Sequence, residues 1–163
     1  MNKISEYINL YGRDLTRLCT SLTNTRDDAQ DLYQATWEKA IRKISKYDSS
    51  KPFDKWLFAI CVNTFKDMVK SPFRRKILQF DKTEELERTL NSISDTEISR
   101  DEFLSLHCAI KKLTVEKRQV LALYYFKDYS LKEVAQILNI PEGTVKSRLN
   151  SARLDLRKEL ENE

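Results

Sequence analysis

Glycine and proline are scarce in this chain: two glycines and three prolines occur in 163 residues. A sheet protein needs many turns, and turns draw on those residues. Their scarcity, among many good helix formers, predicts an all-α protein. The length suits one medium domain or two small ones. There is a single histidine, and the three cysteines (Cys19, Cys61, Cys108) are an odd number with no paired spacing. That set matches no structural zinc site, and His107 reads as a surface or partly buried helical residue. No apolar run approaches the roughly 18 residues of a membrane span. The start, Met1 to Glu6, has no signal-peptide core, so a reduced cytoplasm is the expected compartment. Gly-rich phosphate loops, nucleophile elbows and helical two-histidine metal motifs are missing as well. No enzyme, cofactor, metal site or small-molecule substrate is therefore expected.

What is present is charge, unevenly spread. Residues 1–76 carry 15 basic and 9 acidic side chains, 77–110 carry 3 and 8, and 111–163 carry 11 and 8. Two basic blocks around an acidic one suggest two modules that touch a polyanion and a connector that does not.

Apolar spacing divides the chain into helices. Ile4, Ile8, Tyr11, Leu15, Leu18 and Leu22 recur at steps of four and three, one face of a first helix. Residues 23–27 break the pattern and offer an N-cap. A second helix is expected from about Asp28 to Ile44, burying Ala29, Tyr33, Trp37, Ala40 and Ile44, with Leu32 and Ile41 widening the stripe. Asp28, Asp31, Gln34 and Glu38 share another face, suited to a basic protein surface or simply to solvent. Residues 46–52 form a loop by composition. A third helix, about Phe53 to Lys70, would set Asn63, Lys66, Lys70 and, if it continued, Arg74 in one line. Pro72 should end or kink it. That basic stripe lies near Tyr47, Phe53, Trp56 and Phe58 and could hold single-stranded DNA by charge and stacking, although Trp37, and partly Phe53 and Trp56, read as core. Residues 77–98 read as an acidic linker with some short helix.

Phe103, Leu106, Ile110 and Leu113 restore helical spacing, and Thr114 can cap a helix through about Phe126. Ser130 with Glu133 makes a capping box. Asn139-Ile140-Pro141 then separates that helix from a last one that buries Val145, Leu149, Ala152, Leu156 and Leu160. Residues 129–149 thus read as a helix, a tight turn and a second helix, the unit that presents a helix to the major groove of DNA. Lys146, Ser147, Asn150 and Arg153 would face outward. Lysine can bond guanine or phosphate, and asparagine can read adenine. Gly143 would let a phosphate approach the first-turn N–H groups. A solvated amphipathic helix is the plain alternative.

Three segments together resemble the small extracytoplasmic-function (ECF) group of bacterial RNA polymerase sigma factors. Asp27-Asp28-Ala29-Gln30-Asp31-Leu32-Tyr33-Gln34 is similar to the family's polymerase-clamp helix. Phe53 to Asn63, with Asp67, is similar to its promoter-melting helix, and Tyr129 to Leu149 to its −35-reading helix-turn-helix. The resemblance implies two small helical domains joined by a linker. Residues 1–76 would bind the polymerase clamp and recognise and melt the −10 element, 77–98 would link, and 99–163 would read the −35 element. It implies that Asp28, Asp31 and Gln34 dock on core RNA polymerase. It implies that Lys46, Tyr47, Asp48 and Asn63 help capture a flipped base of the −10 element, while Lys66, Lys70 and Arg74 follow phosphates. Lys146, Ser147, Asn150 and Ser151 would read the −35 duplex, with Thr144 and Arg148 positioning its backbone. The implied partners are core polymerase, promoter DNA and an anti-sigma factor. Val62 departs from the pattern, standing where many members have a basic residue. Two other readings use the same elements: a stand-alone helix-turn-helix regulator on operator DNA, and a sigma mimic that occupies polymerase without opening promoters.

Overall fold

The computed structural model describes residues 3–71 and 100–162, which form seven α-helices and no strand. They are α1 (Lys3–Leu22), α2 (Arg26–Lys43), α3 (Phe53–Lys70), α4 (Arg100–Lys111), α5 (Val115–Phe126), α6 (Leu131–Leu138) and α7 (Glu142–Glu161). The expected third helix matches α3 end to end. The expected end at Pro72, the acidic linker and Arg74 lie outside the described residues.

Local chemistry explains where these helices begin and end. Thr25 accepts the Asp28 amide proton and starts α2 two residues before the expected point. Thr114 caps α5 through the Lys117 amide. Ser130 and Glu133 form the full reciprocal capping box of α6. Asn139 closes α6 in the left-handed region (φ 55°), which asparagine tolerates better than most residues. The α6–α7 turn is therefore built from its own side chains.

In the N-terminal half, α1, α2 and α3 pack on one another. Leu15, Leu18, Leu22, Leu32, Trp37, Phe53, Leu57 and Phe58 form the centre of the core. Gly12 permits close approach of α2, since a Cβ there would come within 3.0 Å of the Tyr33 hydroxyl. Buried threonines satisfy themselves along their own helices: Thr36 donates to the Leu32 carbonyl and Thr64 to that of Ile60, both at 2.6 Å. Cys19 and Cys61 meet in this core with sulfurs 3.8 Å apart, as free thiols. Burial and the neighbouring thiol hold Cys19 protonated, its pKa pushed well above the ordinary range, the Cys61 hydrogen bond being the largest cause. Ile41, expected in the stripe, is exposed instead; Ala40 and Ile44 occupy the side facing the core.

In the C-terminal half, α7 packs against α4, α5 and α6. Val145, Leu149 and Ala152 are buried, while Leu160 is exposed near the end of α7, beyond the core.

The two halves are packed together. α5 lies along α1, and α6 along α3. Val120, Leu123, Tyr129, Val134 and Ile137 belong to the same core cluster as the leucines of α1 and α3. The polar contacts at this joint gather at the C-terminal end of α1. Arg118 donates from Nη1 to the Leu22 carbonyl at 2.7 Å and to Asn24 Oδ1 at 3.4 Å, and from Nη2 to the carbonyls of Lys111 and Leu113 at 2.6 and 3.1 Å. Lys111 Nζ donates to the carbonyl oxygens of Thr20, Ser21 and Thr23. Two cations thus satisfy the last carbonyls of α1, the end where its dipole favours positive charge. Gln119 Nε2 reaches the Val62 carbonyl at 3.1 Å. At the rim, Lys127 pairs with Asp14 at 2.7 Å and Lys55 with Glu133 at 3.2 Å.

Candidate nucleic-acid interface

The outer face of α7 has the predicted composition. With Val145 and Leu149 turned into the core, Lys146, Ser147, Asn150 and Arg153 are exposed, and Thr144, Arg148 and Ser151 are half-buried beside them. Lysine, serine and asparagine side chains therefore project from the first turns of a helix whose N-terminus is open to solvent. Gly143 sits in that first turn, and a Cβ there would meet no protein atom within 4 Å. Packing inside the chain does not ask for glycine at this position, whereas an outside phosphate approaching the N–H groups would benefit from it. Arg153 is more committed: its Nε donates to the Tyr125 hydroxyl at 2.8 Å, and its guanidinium lies over the Tyr124 and Tyr125 rings.

The second basic surface joins the loop after α2 to α3. Asn63, Lys66 and Lys70 are exposed along one face of α3, as their spacing of three and four requires. Lys46 ends a short 3₁₀ turn (Ile44–Lys46). Tyr47 stands edge-on to Phe53 and tilted against Trp56, with ring centroids 5.3 and 5.0 Å away, and its hydroxyl donates to the Lys51 carbonyl. Asp48 Oδ1 accepts from the Ser50 amide at 3.0 Å and hydroxyl at 2.7 Å. Those bonds hold the carboxyl below its usual pKa, the hydroxyl contributing most. The loop is thus tied by its own side chains, with half-exposed Tyr47 and Trp56 beside exposed Lys46 and Asp48. Phe53 and Phe58 are core. Phe53 stacks on Tyr7 at 3.9 Å between centroids, so it anchors the aromatic group from below.

The acidic face of α2 is divided. Asp31, Gln34 and Glu38 are exposed, but Asp28 is buried, at 4% exposure. It sits in the first turn next to the Thr25 cap, where the helix dipole favours a carboxylate. The expectation that all four share a solvent face is corrected at that residue.

Sequence reasoning missed the joint between the halves. Arg118 and Gln119 are its buried polar members, yet nothing in the spacing of residues 115–126 marks them as inward. Burial pulls the Arg118 guanidinium down to about 10, still charged at neutral pH. Tyr129, the first residue of the helix-turn-helix segment, donates to Asp54 of α3 at 2.6 Å, and burial followed by that bond raises its pKa. Val62, the departure from the resembled pattern, is buried in the same region.

His107 is half-buried, and burial, with Lys111 and Arg118 nearby, lowers its pKa to about 4. Among the described residues, no group of three or more His, Cys, Asp or Glu side chains is placed to hold a metal ion. No described helix is long and apolar enough to cross a membrane.

Comparisons with known proteins follow the same division. Residues 7–75 match the family Sigma-70 region 2, and residues 103–156 match Sigma-70, region 4. The ECF RNA polymerase sigma factor SigW of Bacillus subtilis (strain 168) is 30% identical over 164 aligned positions, covering 96% of this chain and 88% of that protein. SigM of the same organism is 31% identical, covering 94% and 93%. Among solved structures, the sigma factor RpoE in complex with the anti-sigma factor NepR from Bartonella quintana superposes with a TM-score of 0.74 at 23% identity, covering 99% of this chain and 98% of that one. CnrH in complex with the cytosolic domain of CnrY gives a TM-score of 0.72 at 22% identity, covering 98% and 88%.

Proposed function

The chain belongs to the ECF RNA polymerase sigma factor family, and we propose that its two halves divide promoter recognition between the surfaces described above. A sigma factor is a regulatory subunit: it binds core RNA polymerase and directs initiation to chosen promoters. The observation that carries this function is the match of both halves, in chain order, to sigma-70 regions 2 and 4.

The N-terminal half, residues 1–76, docks on polymerase and handles the −10 element. Asp31 and Gln34 supply the exposed acidic and polar contacts to the polymerase clamp, with Asp28 behind them. Lys46, Tyr47, Asp48 and Asn63 surround a base drawn from the melted strand, and a pocket that holds such a base can select sequence because extraction costs a few kcal/mol. Lys66, Lys70 and Arg74 follow phosphates. The C-terminal half, residues 99–163, reads the −35 element as duplex. Lys146, Ser147, Asn150 and Ser151 reach base edges, and Thr144 and Arg148 hold the backbone. Residues 77–98 connect them. The chain performs no covalent chemistry of its own and works in the cytoplasm, where polymerase is.

An anti-sigma factor is the further partner we assign. Support comes from the two solved relatives, RpoE and CnrH, each held by a partner: the anti-sigma factor NepR and the cytosolic domain of CnrY.

The test is co-elution of the purified chain with bacterial core polymerase, followed by promoter selection from a genomic library. A stoichiometric complex that starts transcription at a shared pair of elements is the expected result. Specific operator binding as a dimer without polymerase would replace this reading with a stand-alone regulator.

A further inference from the structure

Arg153 is an exposed cation held in a fixed orientation. Its guanidinium lies in the corner between the Tyr124 and Tyr125 rings, which stand nearly perpendicular, at 85°, with centroids 5.1 Å apart. The guanidinium carbon is 5.7 Å from the Tyr124 centroid and 5.5 Å from that of Tyr125. Its Nε donates to the Tyr125 hydroxyl at 2.8 Å. One donor is thereby used, and both terminal nitrogens keep theirs. Among the described residues, no carboxylate pairs with this guanidinium and no acceptor meets its terminal nitrogens. Tyr125 is itself 55% exposed, so core packing does not account for its place beside Arg153. The two rings instead aim a planar fork of free donors at solvent.

Its place on α7 decides what that fork can reach. Lys146, Asn150 and Arg153 follow one another at steps of four and three, and all three are exposed, so they share one line along the helix. Arg153 lies roughly 10 Å further along the axis than Lys146. A base step rises about 3.4 Å, and the N-terminal residues of a groove-reading helix are the ones that meet base edges. Two turns later, the helix draws level with the flanking strand. Resting on the −35 reading above, we propose that Arg153 is a phosphate clamp at the flank of the −35 duplex, oriented by Tyr125. The terminal nitrogens grip the two non-bridging oxygens of one phosphate, a geometry that a planar fork fits and an ammonium does not. Tyr125 is a positioning residue that acts through Arg153. Ring contacts and the Nε bond confine a side chain with much rotamer freedom, so less is lost when it meets DNA. An acidic protein partner would also suit a free guanidinium, but the shared line with Lys146 and Asn150 favours DNA.

The experiment measures closed-complex affinity of holoenzyme, formed from the full chain and core polymerase, for a promoter fragment returned by genomic selection. Single phosphates flanking the −35 element are replaced in turn by neutral methylphosphonates. One replacement should weaken the parent about ten-fold and leave Arg153→Ala, already weaker by about that factor, unmoved. Arg153→Ala should also make the slope of log K against log salt concentration shallower by about 0.9. Arg153→Lys should restore the slope but not the affinity, since it keeps the charge and loses the fork. Tyr125→Phe keeps the ring and loses the hydroxyl; it should cost about two- to five-fold in the parent and nothing further in Arg153→Ala. Affinity for core polymerase should be equal in all of these proteins. Methylphosphonates that weaken the parent and Arg153→Ala alike overturn the proposal, as does a Tyr125→Phe loss of the same size without Arg153. A loss of core binding in place of DNA binding also overturns it and marks a protein contact. Failure of the parent to join core polymerase and select any promoter is a different result: it removes the sigma reading, and this inference with it.

Discussion

Tyr129 and Asp54 stand 75 positions apart in the chain and 2.6 Å apart in space, the phenol donating to Oδ2. Tyr129 opens the helix-turn-helix segment, and Asp54 lies in the first turn of α3. The bond therefore joins the start of the helix-turn-helix segment to the start of α3, the two elements proposed to face DNA. Replacing Tyr129 with Phe keeps the ring, which also packs edge-on against Phe58 with centroids 6.4 Å apart, and removes the donor. Stability should fall by about 1–2 kcal/mol in urea unfolding. A variant as stable as the parent would show that the bond contributes nothing net.

Acid should weaken the fold through His107. In the unfolded chain its imidazole takes up a proton near pH 6.5, whereas in the folded protein burial delays this to about pH 4. The unfolded state binds more protons between those values, so stability falls as pH drops through that window, by no more than about 3 kcal/mol. His107→Gln should flatten that stretch of the pH–stability curve. An unchanged slope would place its origin in other groups.

Polymerase docking is tested at Asp31, which is exposed on α2. Asp31→Lys should weaken binding to core polymerase about ten-fold or more, as reversing a charge at a complementary interface does. The thermal transition should stay within a degree or two. Equal affinity for core would remove the α2 face from the interface.

Asn63→Ala addresses base capture. The side chain is solvent-exposed, so folding should be unaffected. Open-complex formation, followed by permanganate reactivity of unpaired thymines, should drop more than closed-complex binding. Equal losses in the two steps would make Asn63 a general DNA contact instead.

Lys146→Ala separates reading from attraction. If Lys146 bonds a base edge, affinity for the cognate −35 element should fall by about 1–3 kcal/mol, with little change on unrelated duplexes. A loss of the same size on every sequence, with a shallower salt dependence, would mark a phosphate contact.

Much of this molecule is written locally. Thr25, Thr114 and the Ser130–Glu133 box start their helices because a short side chain can meet free N–H groups two or three residues on. Asn139 ends one because it tolerates the left-handed region. The 3.6-residue period puts Val145 and Leu149 on one side of α7 and leaves Lys146, Ser147 and Asn150 on the other. These effects act within a few residues, so the sequence by itself determined the helices, their caps and the exposed composition of both surfaces proposed to face DNA. Which helix meets which is a long-range matter. Arg118 and Gln119 look like surface residues until α5 settles along α1 and the carbonyls of Leu22 and Val62 arrive to receive them. Cys19 meets Cys61, and Tyr129 meets Asp54, only through the path of the chain. Asp28 is spaced like a solvent-facing residue and is nevertheless buried at the start of α2. Periodicity states that a face is apolar or polar but does not name its partner, so the tertiary structure alone decided that the two halves close on one core.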